Sequence, residues 1–265
     1  MAYAKINSIT NANMAKVNNA AKAALGKIAN IDAPSSYSNT KSINFDGSND
    51  HISIGNIDWD ADFSMVIWFK TTTTSFRYLW AKDAGNYIAL RLLGDPAWHY
   101  QGSAVGASAD NFTNTSLFDG NWHMLAYTIT GGSGSLSTAK LYMDGSLEDT
   151  ISSTQTYTNR TDDGTFGCRT HDGGTAYNFH LGNMDEIGVW KDTVLDADAI
   201  TDLYNSGTPI DLSSDSGNYD NSGDLSHWWR MGDGDTYPTI TDNEGSLDGT
   251  MTNMVSGDIE TDVPS

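Results

Sequence analysis

The chain has 265 residues, with 34 Asp and Glu against 14 Lys and Arg, for a formal net charge of −20. So few cations exclude a surface built mainly to neutralise nucleic-acid phosphates, and equally one drawn to anionic membranes. Aromatic residues at 11% exclude an acidic disordered chain, and 26 Gly against 5 Pro point to many tight turns in one large β domain with or without appendages.

The charge is unevenly spread. Residues 1–40 carry Lys5, Lys16, Lys22 and Lys27 against Asp32, a net of 4 − 1 = +3. Residues 183–265 carry 18 acids against Lys191 and Arg230, a net of 2 − 18 = −16. The start lacks the apolar stretch of a secretory signal, and no run of 18 apolar residues predicts a membrane span. The lone Cys168, in an alternating stretch, reads as a buried structural thiol.

In chain order, residues 10–30 are rich in Ala, a strong helix former, with Thr10 or Asn11 available as cap. Met14, Val17, Ala21, Ala24 and Ile28 recur at spacings of 3 and 4, a two-heptad seam that predicts a docking helical arm. Residues 32–40 read as a linker. From residue 41 the period becomes 2, and strands are expected at 42–45, 51–54, 63–70, 78–81, 87–92, 122–129, 139–143, 164–169, 179–182 and 185–190. Clusters of Gly, Asn, Asp and Ser separate them, and a short helix is expected at 196–204. Trp68, Trp122 and Trp190 fall in apolar strands and read as core. The expected architecture is all-β: an antiparallel jelly-roll sandwich with an N-terminal helical arm. The expected division is an anchoring arm over 1–38, the jelly roll over 39–206, and an acidic extension over 207–265 whose hairpin packs on the sandwich or on a neighbour.

Five stretches in order carry a family resemblance: Phe45-Asp-Gly-Ser-Asn-Asp-His-Ile52, Phe63-Ser-Met-Val-Ile-Trp-Phe-Lys70, Leu117-Phe-Asp-Gly-Asn-Trp-His123, Leu141-Tyr-Met-Asp-Gly145 and Gly182-Asn-Met-Asp-Glu-Ile-Gly-Val-Trp190. Together they resemble the concanavalin A-like jelly roll of the laminin-G and pentraxin type. Residues 227–253 resemble the opening strand pair of a further such domain. A Lys/Ala/Asn-rich arm before a lectin-like jelly roll is similar to structural proteins of tailed bacteriophages. That resemblance implies a virion component assembled in the host cytoplasm, anchored to other virion proteins through its arm and projecting toward cell-surface glycans; the heptad seam adds self-association into a homo-oligomer as a further expectation.

No catalytic residues are assigned. Glycoside hydrolases of this architecture place alternating acids on one strand, and no such run is present; Asp185 and Glu186, as strand neighbours, are expected on opposite faces. The resemblance implies one structural Ca²⁺, with Asp46 and Asp185 as ligands. Candidate sugar contacts are Trp98 and Tyr100, or Tyr177 beside His171. The leading expectation is a non-enzymatic virion structural protein, a decoration or fibre-like component. The alternatives are a carbohydrate-binding module or adhesin, and a glycoside hydrolase.

Overall fold

Short apolar stretches of period 2, broken by turn residues, can bury one face each only by stacking two sheets. The computed structural model does this, and describes residues 37–58, 62–83, 87–92, 96–102, 105–109, 115–131, 138–151, 162–171 and 174–265. The expected helical arm lies outside the described residues.

The strands are β1 (Ser42–Asp46), β2 (His51–Ile54), β3 (Phe63–Lys70), β4 (Arg77–Asp83), β5 (Tyr87–Leu92) and β6 (Pro96–Gly102). They continue as β7 (Val105–Ala109), β8 (Trp122–Thr130), β9 (Thr138–Met143), β10 (Ser146–Ile151), β11 (Gly164–Phe166) and β12 (Arg169–His171). The last are β13 (Thr175–Tyr177), β14 (Leu181–Lys191), β15 (Leu225–Trp229), β16 (Thr239–Ile240), β17 (Gly249–Thr252) and β18 (Ile259–Glu260). One helix, α1 (Ala197–Tyr204), follows β14; Asp196 caps it by accepting from the Ala199 amide.

The first sheet runs β10-β9-β8-β3-β14-β1-β18, with β15 also paired to β14. The second runs β16-β17-β2-β11-β4-β5-β6-β7, and β12 and β13 form a separate hairpin. All described pairings are antiparallel. Between the sheets lie Phe45, Ile52, Phe63, Ile67, Trp80, Leu90, Leu125, Tyr127, Phe166, Ile187 and Trp229. Segment 207–265 contributes strands to both sheets: β15 on β14, β17 on β2 and β18 on β1.

The outer face of the first sheet is covered. Trp68 stacks on Tyr204 of α1 at 5.7 Å, and Trp190 meets Tyr219 edge-on at 5.9 Å while its Nε1 donates to the Asn221 carbonyl. Trp68 and Trp190 are thus buried as expected, but beneath the helix and the loop after it, not between the sheets. Trp122, half-buried, donates from Nε1 to Asp262. On the second sheet the described cover is the β12–β13 hairpin.

Candidate functional site

The outer row of the second sheet follows from its register. Thr250, Ser53, Thr165, Ala81 and Ala89 are cross-strand neighbours over β17, β2, β11, β4 and β5. They alternate with the core residues Ile52, Phe166, Trp80 and Leu90, so they face away from the interior. Their small side chains make a shallow floor.

Aromatic and cationic residues rise at one end of this floor. A bulge in β4 between Tyr78 and Trp80 resets its alternation, and Tyr78 lies against Ala81, Ala89, Phe76 and Tyr177. Phe76 and Tyr78 are tilted rings at 5.0 Å, and Tyr78 and Tyr177 are edge-to-face at 6.3 Å. The Arg91 guanidinium stands 5.2 Å over Phe76, and that of Arg169 stands 5.3 Å over Tyr177. The hairpin carrying Arg169 and Tyr177 is tied to β4 by the Tyr78 amide, which donates to the Asn178 carbonyl at 3.2 Å. Tyr177 and Phe76 remain half-buried, while Arg91 and Arg169 are 9% and 8% exposed. This arrangement can stack a flat apolar ring face and offer hydrogen-bond donors beside it.

Of the residues expected from the sequence, Tyr177 is therefore placed in a cluster. His171 is brought onto the same hairpin, opposite Thr175. Trp98 pairs with Leu90 and Tyr100 with Ile88, so Trp98 occupies a register position shared with a core residue. The side chains of His171, Trp98 and Tyr100 lie outside the described residues. Phe76, Tyr78, Arg91 and Arg169 were not singled out in the sequence. The legible signal was the Phe-Arg-Tyr run at the head of a strand, but no local pattern joins it to Arg91 and Arg169.

Asp46 and Asp185 are not brought together. Asp46 pairs with Leu181, four residues before Asp185 on β14, which separates the two by about 13 Å. Calcium–oxygen distances are about 2.3–2.6 Å, so these carboxylates do not fit one shared ion. Asp46 Oδ1 accepts from the amides of Ser48 and Asn49 at 2.7 and 3.2 Å. Burial alone would raise its pKa, but these turn amides outweigh it and hold the carboxyl below its ordinary value. Among the described residues no group of three His, Cys, Asp or Glu is arranged to hold a metal.

Asp185 and Glu186 are fully buried, and they do not take opposite faces. Met184 and Ile187 both belong to the core, so the register shift between Asp185 and Gly188 turns the two intervening residues away from it together. Glu186 holds the bulge at φ +39°. Its carboxylate accepts from Trp228 Nε1 at 2.6 Å and Arg230 Nε at 3.2 Å. Asp185 accepts from Asn39 Nδ2 and from the Glu186 amide, both at 2.8 Å. Burial, then the adjacent Glu186 charge, push the Asp185 carboxyl well above its ordinary range. Arg230 also reaches Asp233, which accepts from Thr40 and Lys41. The cluster seals the point on β14 between the start of β1 and the end of β15, and its two carboxylates are buried and engaged.

Two further carboxylate–histidine sites organise turns. Asp242, buried, meets His227 Nδ1 at 2.7 Å and accepts from the amides of Trp228, Gly245 and Leu247. Burial would raise its pKa; His227 and these amides override that and bring it down to about 2. His123 lies between Asp144 at 2.8 Å and Asp119 at 3.2 Å, which raise its pKa against the opposing effect of burial. Cys168 is buried, and that burial pushes its thiol up to about 12, as suits a packing residue.

Residues 46–201 match the family described as Laminin_G_3, the concanavalin A-like lectin/glucanases superfamily. Among solved structures, a protein from Bacteroides ovatus assigned as carbohydrate binding is similar at 17% identity and a TM-score of 0.62, over 86% of this chain and 62% of its own. A SAP-like pentraxin from Limulus polyphemus is similar at 13% identity and 0.52, over 82% of this chain and 98% of its own. The binding domain of Paraclostridial Mosquitocidal Protein 1 is similar at 13% and 0.51, over 64% and 46%. This chain thus spans less than two thirds of the first and third of these structures. No curated protein sequence matches the chain.

Proposed function

The chain belongs to the concanavalin A-like lectin/glucanase superfamily, and on that premise we propose that it is a non-enzymatic carbohydrate-binding protein. Its site is the aromatic–arginine cluster of β4, β5 and the β12–β13 hairpin. The observation that carries this reading is Tyr177 and Phe76, both half-buried, flanking Tyr78 above a floor of Ala81 and Ala89. Sugar rings present flat C–H faces that stack on aromatics, and their hydroxyls seek donors of the kind that Arg91 and Arg169 supply. The similar Bacteroides ovatus structure, assigned as carbohydrate binding, supports the same class.

The non-enzymatic part of the reading rests on the carboxylates. Hydrolysis requires two carboxyls facing each other across a substrate cleft. The adjacent buried pair, Asp185 and Glu186, is engaged with Asn39, Trp228 and Arg230.

The test is a glycan array with the full chain. A specific hit weakened about tenfold by Tyr177→Ala, with the melting temperature kept, is expected; this corresponds to about 1.4 kcal/mol. No hit on the array, or release of sugars from a polysaccharide panel, would overturn the reading.

The charge distribution favours a second reading that concerns where the protein works. A net of +3 over residues 1–40 against −16 over 183–265 suits a virion component whose arm binds a particle while its acidic body faces water. Deleting residues 1–30 is expected to abolish incorporation into particles and leave the body folded. Normal incorporation would sink that idea.

A further inference from the structure

Arg91 differs from Arg230 in what holds its guanidinium. Arg230 is held by carboxylates, with Nε on Glu186 and Nη2 on Asp233. Arg91 is nine-tenths buried, its Nε is without an acceptor, and among the described residues no carboxylate is bonded to it. Removing a guanidinium from water without a partner is costly, and a chain with 34 carboxylates could readily have supplied one. The neighbouring Arg77 repeats the pattern: Nη1 donates to the Phe76 carbonyl at 2.9 Å, while Nε is buried without an acceptor.

The strands of the site are richer in cations than the chain as a whole. Strands β4, β5 and β12 carry Arg77, Lys82, Arg91 and Arg169 against Asp83, a net of 4 − 1 = +3, within a chain of −20. Three of the five arginines in the sequence gather here. The guanidinium is a planar, permanently charged fork that matches the oxygens of a carboxylate or sulfate. A cation that remains in a repulsive-to-anions molecule, whose Nε has no acceptor among the described residues and which lies beside aromatic rings, is suited to an anion brought in on a ring.

We propose that the ligand of this site is an anionic sugar, whose carboxylate or sulfate oxygens accept hydrogen bonds from Arg91 while its ring stacks on Phe76 or Tyr177. The proposal rests on the carbohydrate-binding reading above and specifies its ligand class. Arg169, on the opposite flank at Tyr177, adds positive potential, and the surrounding charge of −20 makes the local arginines the determinant of which anions enter.

The experiment is titration of the full chain by calorimetry with three probes of similar size: oligogalacturonate for carboxylate, dextran sulfate oligomers for sulfate, and neutral dextran oligomers. At low ionic strength one anionic probe is expected to bind at least tenfold more tightly than the neutral one, and to weaken as salt is added. Arg91→Gln should erase that preference, whereas Arg91→Lys, which keeps charge but loses the fork, should retain part of it. The comparison of probes on the unmodified chain needs no variant, so a poorly folding Arg91→Gln does not rescue the proposal. Equal binding of neutral and anionic probes, sensitive to Tyr177→Ala, would overturn the anionic class and leave the carbohydrate reading standing. Binding of none of the probes, together with no array hit, would overturn both.

Discussion

Asp185 and Glu186 are consecutive, yet both carboxyls turn away from the sandwich interior, because one extra residue in β14 breaks the alternation between the core residues Met184 and Ile187. The result is two adjacent buried acids, one satisfied by Trp228 and Arg230 and the other by Asn39. They join the entry to β1 to the exit from β15.

Removing the Glu186 carboxylate strands the Trp228 indole and the Arg230 guanidinium. Breaking a buried ion pair from one side costs roughly 3–5 kcal/mol. Glu186→Ala is expected to lower stability by about 3 kcal/mol at this lower bound, read as a drop in the urea midpoint, with Glu186→Gln less damaging because an amide oxygen still accepts. An unchanged midpoint for Glu186→Ala would show the cluster to be idle.

Asp185 makes a prediction of the opposite kind. Its folded pKa lies above the unfolded one, so the native state holds the proton more tightly. Its contribution is present at low pH and is lost as pH rises through the folded value. Asp185→Asn is expected to flatten that decline and to match or exceed the parent in stability at neutral pH. The replacement amide can donate to Asn39 Oδ1, which is buried without a donor, once the Asn39 amide turns over. A steeper decline in the variant would contradict this assignment.

Asp242 sets the acid limb. With a folded value of about 2 against an ordinary 3.8, its stabilisation is present above the ordinary value and lost as pH falls toward 2. The difference corresponds to about 2 kcal/mol. Unfolding followed between pH 5 and pH 2 should show this loss in the parent, and Asp242→Ala should lack it while starting from lower stability.

Gly245 closes the same turn. A Cβ there would collide with both His227 Nδ1 and Asp242 Oδ2. Gly245→Ala is expected to cost about 2 kcal/mol, the scale of an overpacked site. A melting temperature equal to that of the parent would mean that the turn yields more easily than its hydrogen bonds suggest.

Ending the chain at residue 206 would remove β15, β17 and β18, exposing the edges of β14, β2 and β1 and taking Trp229 and Met251 from the core. The truncated chain is expected to lack near-ultraviolet circular dichroism and to aggregate through its open edges. A folded, monomeric fragment would show residues 207–265 to be an accessory.

Sequence alone determined the sandwich. The apolar runs bounded by turn residues in 63–70 and 122–129, the Asp-Gly turns at 119–120 and 144–145, and the capped helix after Trp190 are local signals, set by backbone sterics and by which residues must leave water. It also marked Tyr177 as a surface aromatic and the C-terminal acids as a separate population. Only the tertiary structure decided what lies beside what. The bulge at Glu186 is a mismatch between β14 and its partners, so it has no signature within β14 itself. The separation of Asp46 from Asp185 is a matter of antiparallel register, which reverses chain order between strands. The meeting of Phe76, Arg91, Arg169 and Tyr177 depends on a hairpin folding back over β4 and β5. Side chains distant in sequence become a site only when the cost of closing those loops has been met by burial elsewhere in the sandwich.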